Sequence, residues 1–292
     1  MERIGYTFSM MKASWDVLMK DKELLVFPLV SGICCILVLL SFALPMAHMD
    51  MFQSAKYDQN PGVYWLIVFA FYYVNYFVII FFNSAVVACA IYRMRGGDPT
   101  LKTGFDAAMS RLPQIAGWAF VAAIVGLILR LLDEMAKRIK NPIVRAIAGI
   151  AIGLVGMAWS VVTFLVIPIL VVEKKGPIEA LKESARLLKK TWGEQIVGNF
   201  SFGIIFFLLS LAGIVPLVIG FVMLAKGLTV LGFGLIVLGI LFLIAISLVQ
   251  SVLQTIFQAA VYLYARDGRA PAGFPAGQLQ DAMAPAPAEE RG

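Results

Sequence analysis

The stretch Glu173–Trp192 reads EKKGPIEALKESARLLKKTW. It is the most strongly charged stretch in the sequence and lies between two long apolar segments. Apolar residues recur in it at helical spacing, which predicts an amphipathic helix. Its apolar stripe comprises Ile178, Leu181, Ala185, Leu188 and Trp192. The same order of segments occurs twice more in weaker form: a polar start, an amphipathic helix and then an apolar segment. This order predicts a repeated unit.

The composition places the chain in a membrane. Of its 292 residues, 61% are hydrophobic and only 14% are charged, and its mean hydropathy is +0.87. Ordinary globular domains are about 45–50% apolar and about 25% charged. The excess is spread over long uncharged runs along the whole chain, which is typical of a polytopic membrane protein and not of a soluble domain with one anchor.

The apolar runs predict an all-α fold, a polytopic transmembrane helical bundle of about six spans. The spans are expected at 24–47, 63–92, 113–132, 146–172, 196–224 and 228–265. Residues 1–23 are predicted to form a cytoplasmic amphipathic lead. Residues 266–292, rich in Ala, Pro and Gly, are predicted to form a disordered cytoplasmic tail. The glycines at 227, 232, 234 and 239 predict a loose start to the sixth span.

Each even-numbered span ends in a similar sequence. The three endings read IYRMRGGDP (91–99), VVEKKGP (171–177) and YARDGRAP (264–271). In each ending, a basic residue suits the headgroup level, glycine releases the helix, and proline suits the start of the next segment. We therefore predict three copies of one unit, an interfacial helix followed by a transmembrane hairpin. Repeats in one membrane orientation can pack about an axis along the membrane normal, which predicts loose pseudo-threefold symmetry.

The distribution of basic residues predicts the orientation. For six spans, 17 of the 24 Lys and Arg residues lie on the side that holds the termini, and 7 lie on the other side. The positive-inside rule therefore places both termini in the cytoplasm, with the chain in the inner membrane of a prokaryote. The basic loop 133–145 is evidence against this orientation, because it faces outward in this arrangement. Either it is an outer amphipathic segment, or the third and fourth spans are drawn wrongly.

A W-x-x-L-x-x-D-x-E-L-x-x-F-P pattern runs from Trp15 to Pro28 and precedes the six spans. With this layout, the chain resembles an uncharacterised family of prokaryotic six-span membrane proteins that carries only a domain-of-unknown-function label. The layout is also distantly similar to the membrane domain of glycerophosphodiester phosphodiesterases. The resemblance covers about residues 1–266. The chain has no catalytic domain of the phosphodiesterase type, so the resemblance implies no such activity.

One polar face is predicted inside the membrane. Gln250, Gln254 and Gln258 lie four residues apart and share a face of the sixth span. Lipid would leave these amides unsatisfied, so they are expected to face the bundle. Asn75 and Asn83, which share a face of the second span, are their predicted partners. The amides either join helices by hydrogen bonds or line a polar cavity or substrate path.

A second candidate site is the basic face of the 177–192 helix. It comprises Lys182, Arg186, Lys189 and Lys190. Two interpretations remain open: an orientation signal that anchors the helix at the interface, or a site that binds anionic lipid headgroups.

Enzyme motifs are absent from the sequence, which has no GxSxG, Walker loop, HExxH or helix-opening GxGxxG. His48 is the single histidine, and Cys34, Cys35 and Cys89 lie in apolar runs, so we expect no metal site, disulfide or cofactor. The net charge of +6 lies mostly in loops between spans. That placement favours anionic headgroups over nucleic acid as partners.

These patterns favour a non-enzymatic membrane protein that organises, or responds to, lipid or partner proteins. A membrane-protein partner or a second copy of the chain is a further expected contact. The alternative is a small-solute permease or a transporter subunit. No Asp, Glu, Lys, Arg or His lies in the middle of a predicted span, which counts against ion-coupled transport. An intramembrane enzyme ranks third.

Overall fold

The computed structural model describes residues 2–48, 61–192 and 202–274. This part of the chain is helical and contains no strand. Its helices are α1 (Glu2–Lys20), α2 (Val26–His48), α3 (Pro61–Met94), α4 (Leu101–Met109), α5 (Leu112–Lys137), α6 (Pro142–Val162), α7 (Val166–Glu173), α8 (Pro177–Trp192), α9 (Phe202–Ala225) and α10 (Thr229–Asp267), with a 3-10 turn at Lys22–Leu25. The predicted all-α fold is confirmed.

Six helical segments are long and apolar enough to cross a membrane. They are Lys22–Ala47, Gly62–Met94, Leu112–Lys137, Pro142–Glu173, Phe206–Ala225 and Thr229–Asp267. They correspond to the six predicted spans, but their bounds differ. The predicted loop 133–145 is mostly helical, because α5 continues to Lys137 and α6 begins at Pro142. The fourth span consists of two helices, α6 and α7, and residues 196–201 of the predicted fifth span lie outside the described residues.

The core lies at one end of the bundle, where the last turns of the three even-numbered spans meet. In this region α3 packs against both α7 and α10, and α7 also contacts α10. The buried side chains include Val86, Val87 and Ala90 of α3, Val166, Ile169 and Leu170 of α7, and Ile256, Ala260 and Leu263 of α10. Toward the other end, large apolar side chains such as Leu37, Leu66 and Phe221 are exposed. That surface suits contact with lipid chains.

The order of amphipathic helix and two spans occurs three times. The amphipathic helix of each copy packs against the even-numbered span of another copy: α4 against α3, α8 against α7, and α1 against α10. These contacts close a ring of three. The symmetry is loose, because α5 packs more extensively on α3 than on α6, its own hairpin partner.

Small residues permit the close crossings of α4 and α8. Gly104 and Ala180 each donate a backbone hydrogen bond to the residue four positions earlier, at the start of α4 and of α8. They therefore occupy equivalent positions. A Cβ at Gly104 would lie 2.6 Å from Cys89 Sγ and 2.9 Å from the carbonyl oxygen of Ala85. One turn later, Ala108 and Ser184 are both fully buried, which makes a small-xxx-small pattern in each helix.

The glycines of the last hairpin do not loosen the sixth span. α10 is continuous from Thr229, so the predicted loose start at 232, 234 and 239 is wrong. A Cβ at Gly220 would lie 2.8 Å from the carbonyl oxygen of Gly232, and one at Gly239 would lie 3.1 Å from that of Gly213. Glycine at these positions lets the backbones of α9 and α10 approach closely.

Packing extends beyond residue 266, where the tail was expected to begin. α10 ends at Asp267 with Gly268 in the left-handed conformation. Phe274 is buried in the core cluster, and Gly273 lies beside Val17 of α1. Residues 275–292, which make up most of the predicted disordered tail, lie outside the described residues.

We expect Gly220→Ala to lower the free energy of unfolding by about 1–3 kcal/mol, because its Cβ would meet the backbone of Gly232. Thermal unfolding of the purified protein in detergent would measure this. Gly234→Ala is the matched control, since a Cβ at Gly234 meets nothing within 4 Å. Helix propensity alone should leave the control as stable as the wild type or about 1 kcal/mol more stable. Equal effects of the two changes would contradict the role of the glycine contact.

Candidate functional site

The break in the fourth span leaves backbone groups without helical partners. α6 ends at Val162 and α7 begins at Val166. Pro168 has no N–H, so the carbonyl of Phe164 cannot receive the usual hydrogen bond from four residues later. Gln258 of α10 donates its side-chain amide to this carbonyl. The amide thus replaces the hydrogen bond that the proline removes.

Ser184 of α8 forms hydrogen bonds with two further backbone groups at the break. Its hydroxyl donates to the carbonyl of Val162 at 2.6 Å and accepts from the N–H of Leu165 at 3.1 Å. The Ser184 side chain is fully buried. The break is therefore closed by one side chain from α8 and one from α10, and it fastens these two helices to the fourth span.

The buried face of α8 differs from the predicted stripe. Ala180, Glu183, Ser184 and Leu187 are buried on it beside Leu188. From the predicted stripe, Ile178 is exposed, Leu181 and Ala185 are half-buried, and the side chain of Trp192 lies outside the described residues. The helix is turned so that Glu183 and Ser184 face inward. Ser184 bonds there to the backbone of the fourth span, and Glu183 pairs with Lys175.

The five predicted amides do not form one network. In the described part of the chain, no hydrogen bond joins the asparagines of α3 to the glutamines of α10. Asn75 donates instead to the carbonyl of Phe71 in its own helix at 2.9 Å. Asn83 and Gln250 are half-buried, and Gln254 is exposed. Only Gln258 reaches a group of another span, and that group is a backbone carbonyl.

A cluster of charges ties the ends of α7, α8 and α10 together. Glu173 accepts hydrogen bonds from Tyr262 Oη at 3.0 Å and from Arg266 at 2.6 Å. Lys175 lies 2.7 Å from Glu173 and 3.1 Å from Glu183. Both carboxylate side chains are less than 10% exposed, so removing their cations would leave buried charges unpaired.

The pKa values of this cluster follow from its pairing. Burial opposes ionisation of Glu183, but hydrogen bonds from Arg186 and Lys175 outweigh it and hold the pKa of Glu183 below its ordinary value. The hydrogen bond to Glu173 raises the pKa of Lys175. Since the pKa of Glu183 is lowered, its stabilising contribution is present near neutral pH and is lost as pH falls through that pKa.

A related tie occurs in each of the first two copies of the unit. Arg93, at the end of α3, donates to both carboxylate oxygens of Asp21, in the turn before α2, and also pairs with Asp98. Arg111, in the turn before α5, donates to the carbonyl of Val171 at 3.0 Å. Both ties join the turn after an amphipathic helix to the last turns of an even-numbered span. Part of the basic charge at the span ends is therefore used in internal pairing.

The predicted basic face of α8 is presented outward. Lys182 and Lys189 are exposed, and neither forms an ion pair with a described residue. Arg186 is also exposed, although it pairs with Glu183 at 2.6 Å. The side chain of Lys190 lies outside the described residues. Beside these cations, Ile178 is an exposed apolar side chain, 52% accessible.

The other amphipathic helices also carry exposed apolar side chains. Phe8 and Trp15 of α1, and Phe105 and Met109 of α4, are each more than 40% exposed. Each of these helices buries one face in the bundle and presents exposed apolar side chains elsewhere. That combination is typical of helices that lie in the membrane interface.

Ion pairs form near the end of α5, where the predicted basic loop 133–145 begins. Arg130 donates to Glu134 at 3.1 Å and to Tyr72 Oη at 2.9 Å. Lys137 pairs with Asp133 at 2.5 Å. Two of the basic residues around the end of α5 are therefore paired with acidic neighbours on the same helix.

Ser184, Glu173, Tyr262 and Asp21 were missed as site residues by sequence reasoning. Ser184 could have been found from its register, since it stands at the position of Ala108 in the preceding copy of the unit. Glu173 and Asp21 are acids with basic neighbours in the sequence, which is a weak signal for an internal ion pair. Tyr262 carries no sequence signal, because aromatic residues are common near the ends of spans.

The fold and these contacts define a six-span helical membrane protein whose three amphipathic helices brace the ends of the even-numbered spans. The sequence profile of DUF6159, a family of unknown function, matches residues 62–274. Because this match covers most of the chain, the protein belongs to that family. Trp15–Pro28, the residues on which the resemblance was based, precede the matched region.

No curated protein matches the chain. The comparisons thus establish an uncharacterised family and show no link to glycerophosphodiester phosphodiesterases.

We expect Gln258→Leu to destabilise the protein by about 1 kcal/mol, because it removes the hydrogen bond that the side-chain amide donates to the carbonyl of Phe164. Gln254→Leu makes the same chemical change one turn away at an exposed position, and it should change stability by less than about 0.5 kcal/mol. Thermal unfolding of both variants in detergent measures the difference. Equal stability of the two variants would show that Gln258 does not close the break.

Proposed function

We propose that this protein is a non-enzymatic membrane protein that organises anionic lipid at the cytoplasmic face of the inner membrane, with α8 as its headgroup-binding element. The observation that carries the proposal is that α8 has a buried face held by hydrogen bonds and ion pairs and also carries exposed lysines. Ser184 and Glu183 fix the buried face of the helix. Lys182 and Lys189 project from it without an ion-pair partner in the described part of the chain.

The surroundings of α8 suit an interfacial site. A Lys or Arg near an anionic surface contributes about 1 kcal/mol of binding, and an exposed apolar neighbour such as Ile178 can insert among the acyl chains. Arg93, Lys175 and Arg266 are paired internally, whereas Lys182 and Lys189 are exposed on a helix whose buried face is fixed. The orientation follows from the positive-inside count and is part of the proposal.

The broken fourth span favours transport as a second candidate, because discontinuous helices form the substrate sites of many transporters. In those sites the freed backbone groups face the substrate. Here the carbonyls of Val162 and Phe164 are accepting from Ser184 and Gln258. This closure supports a structural role for the break, so lipid organisation is the preferred function.

The test compares Lys182→Gln/Lys189→Gln with wild type in nanodiscs of phosphatidylcholine that contain increasing fractions of phosphatidylglycerol. We expect the unfolding temperature of the wild type to rise with the anionic fraction. The double variant should lose most of this rise, since two contacts of about 1 kcal/mol are removed.

Lys140→Gln/Lys226→Gln is the matched control, because both lysines are exposed and lie in the loops predicted on the other side of the membrane. It should respond to phosphatidylglycerol as the wild type does. A double variant of α8 that responds like the wild type would refute the proposal.

A further inference from the structure

An open apolar groove of about 640 Å³ lies between α1 and the hairpin of α9 and α10. Its walls are apolar apart from Ser9 and Lys12. The volume falls within the range of about 300–1,000 Å³ that is usual for small-molecule sites in proteins. Because two of its walls belong to spans, the medium available to fill the groove is largely the hydrocarbon of the bilayer.

The length of the groove matches one leaflet. Along α10 its lining runs from Phe242 to Leu253, which corresponds to about 17 Å at 1.5 Å per residue. One leaflet contributes about 15 Å to a hydrocarbon core about 30 Å thick. A single acyl chain lying along the helix would therefore occupy the groove from end to end.

Lys12 adds charge to this apolar site. Its side chain is exposed and lines the groove beside Trp15, a residue type that favours the level of the headgroups. Lys12 forms no ion pair within the described ranges. An ammonium group without a counter-ion at an acyl-chain groove is complementary to a lipid phosphate.

We propose that this groove binds one phospholipid with an anionic headgroup, taking an acyl chain along α10 and the phosphate on Lys12. The inference rests on the proposed function, since it names a second and more specific lipid site on the same protein. It differs from the α8 site in kind. The α8 surface attracts anionic headgroups collectively, whereas the groove retains a single lipid.

The test counts the lipids that stay bound to the full chain in detergent by native mass spectrometry. The probes are dipalmitoyl phosphatidylglycerol and dipalmitoyl phosphatidylcholine, added in equal amounts after delipidation. We expect wild type to retain one phosphatidylglycerol per chain in preference to phosphatidylcholine. Ala245→Trp places an indole in the groove and should reduce retention at least tenfold. Leu238→Trp, two turns away on an exposed part of α10, should retain lipid as the wild type does.

The headgroup contact is tested separately by Lys12→Gln. This exposed change should lower the preference for phosphatidylglycerol about fivefold while a phospholipid of either kind is still retained. Lys20→Gln on the same helix is the matched control and should preserve the preference. If Ala245→Trp does not fold, the Lys12→Gln result decides. An unchanged preference in Lys12→Gln would overturn the site.

Other outcomes also distinguish the proposals. Undiminished lipid retention in a folded Ala245→Trp would overturn the groove site while leaving the α8 proposal to its own variants. A wild type that is dimeric, with Ala245→Trp monomeric, would show that a second copy of the chain occupies the groove, and this too would overturn the lipid assignment. If the α8 double variant responds to phosphatidylglycerol as the wild type does while one lipid is still retained in the groove, only the proposed headgroup surface on α8 is overturned.

Discussion

Backbone groups inside an apolar bundle must find partners, and in this protein that requirement is concentrated at the break in the fourth span. Pro168 removes one helical hydrogen bond, and the turn before it leaves other backbone groups without helical partners. Ser184 and Gln258 meet the need from two different helices. Each unmade hydrogen bond in such a setting would cost about 1–3 kcal/mol. The packing of α8 and α10 against the fourth span is therefore specified by polar contacts in addition to shape.

The ring of amphipathic helices depends on the residues at the helix crossings, which are small or form hydrogen bonds. Gly104 and Ala108 let α4 cross α3 closely, and Ala180 and Ser184 do the same for α8 on α7. Ion pairs then join the helix ends: Arg93 pairs with Asp21, and Arg266 pairs with Glu173. Some of the cations at the span ends therefore hold the bundle together, whereas Lys182 and Lys189 of α8 are exposed.

The sequence predicts the six spans well because apolar length is a local property that needs no knowledge of packing. It predicts less about which half of each span is buried, since lipid and protein neighbours are equally apolar. An asparagine of α3 was the expected partner of Gln258, but Gln258 donates to the carbonyl of Phe164, which Pro168 leaves without its helical donor. Gly232 and Gly239 were misinterpreted because glycine marks both loose turns and close helix contacts. The inward face of α8 was misjudged because Ser184 and Glu183 are buried only through tertiary partners.

Three amphipathic helices share one face of the six-span bundle, and cysteine accessibility can test this arrangement. In a background with Cys34, Cys35 and Cys89 replaced by Ala, Lys102→Cys and Lys182→Cys report on α4 and α8. Lys140→Cys and Lys226→Cys report on the turns at the other end. A membrane-impermeant maleimide applied to right-side-out vesicles should label positions 140 and 226, and positions 102 and 182 should react only in inverted vesicles. Labelling of 140 and 182 from the same side would contradict the six-span arrangement.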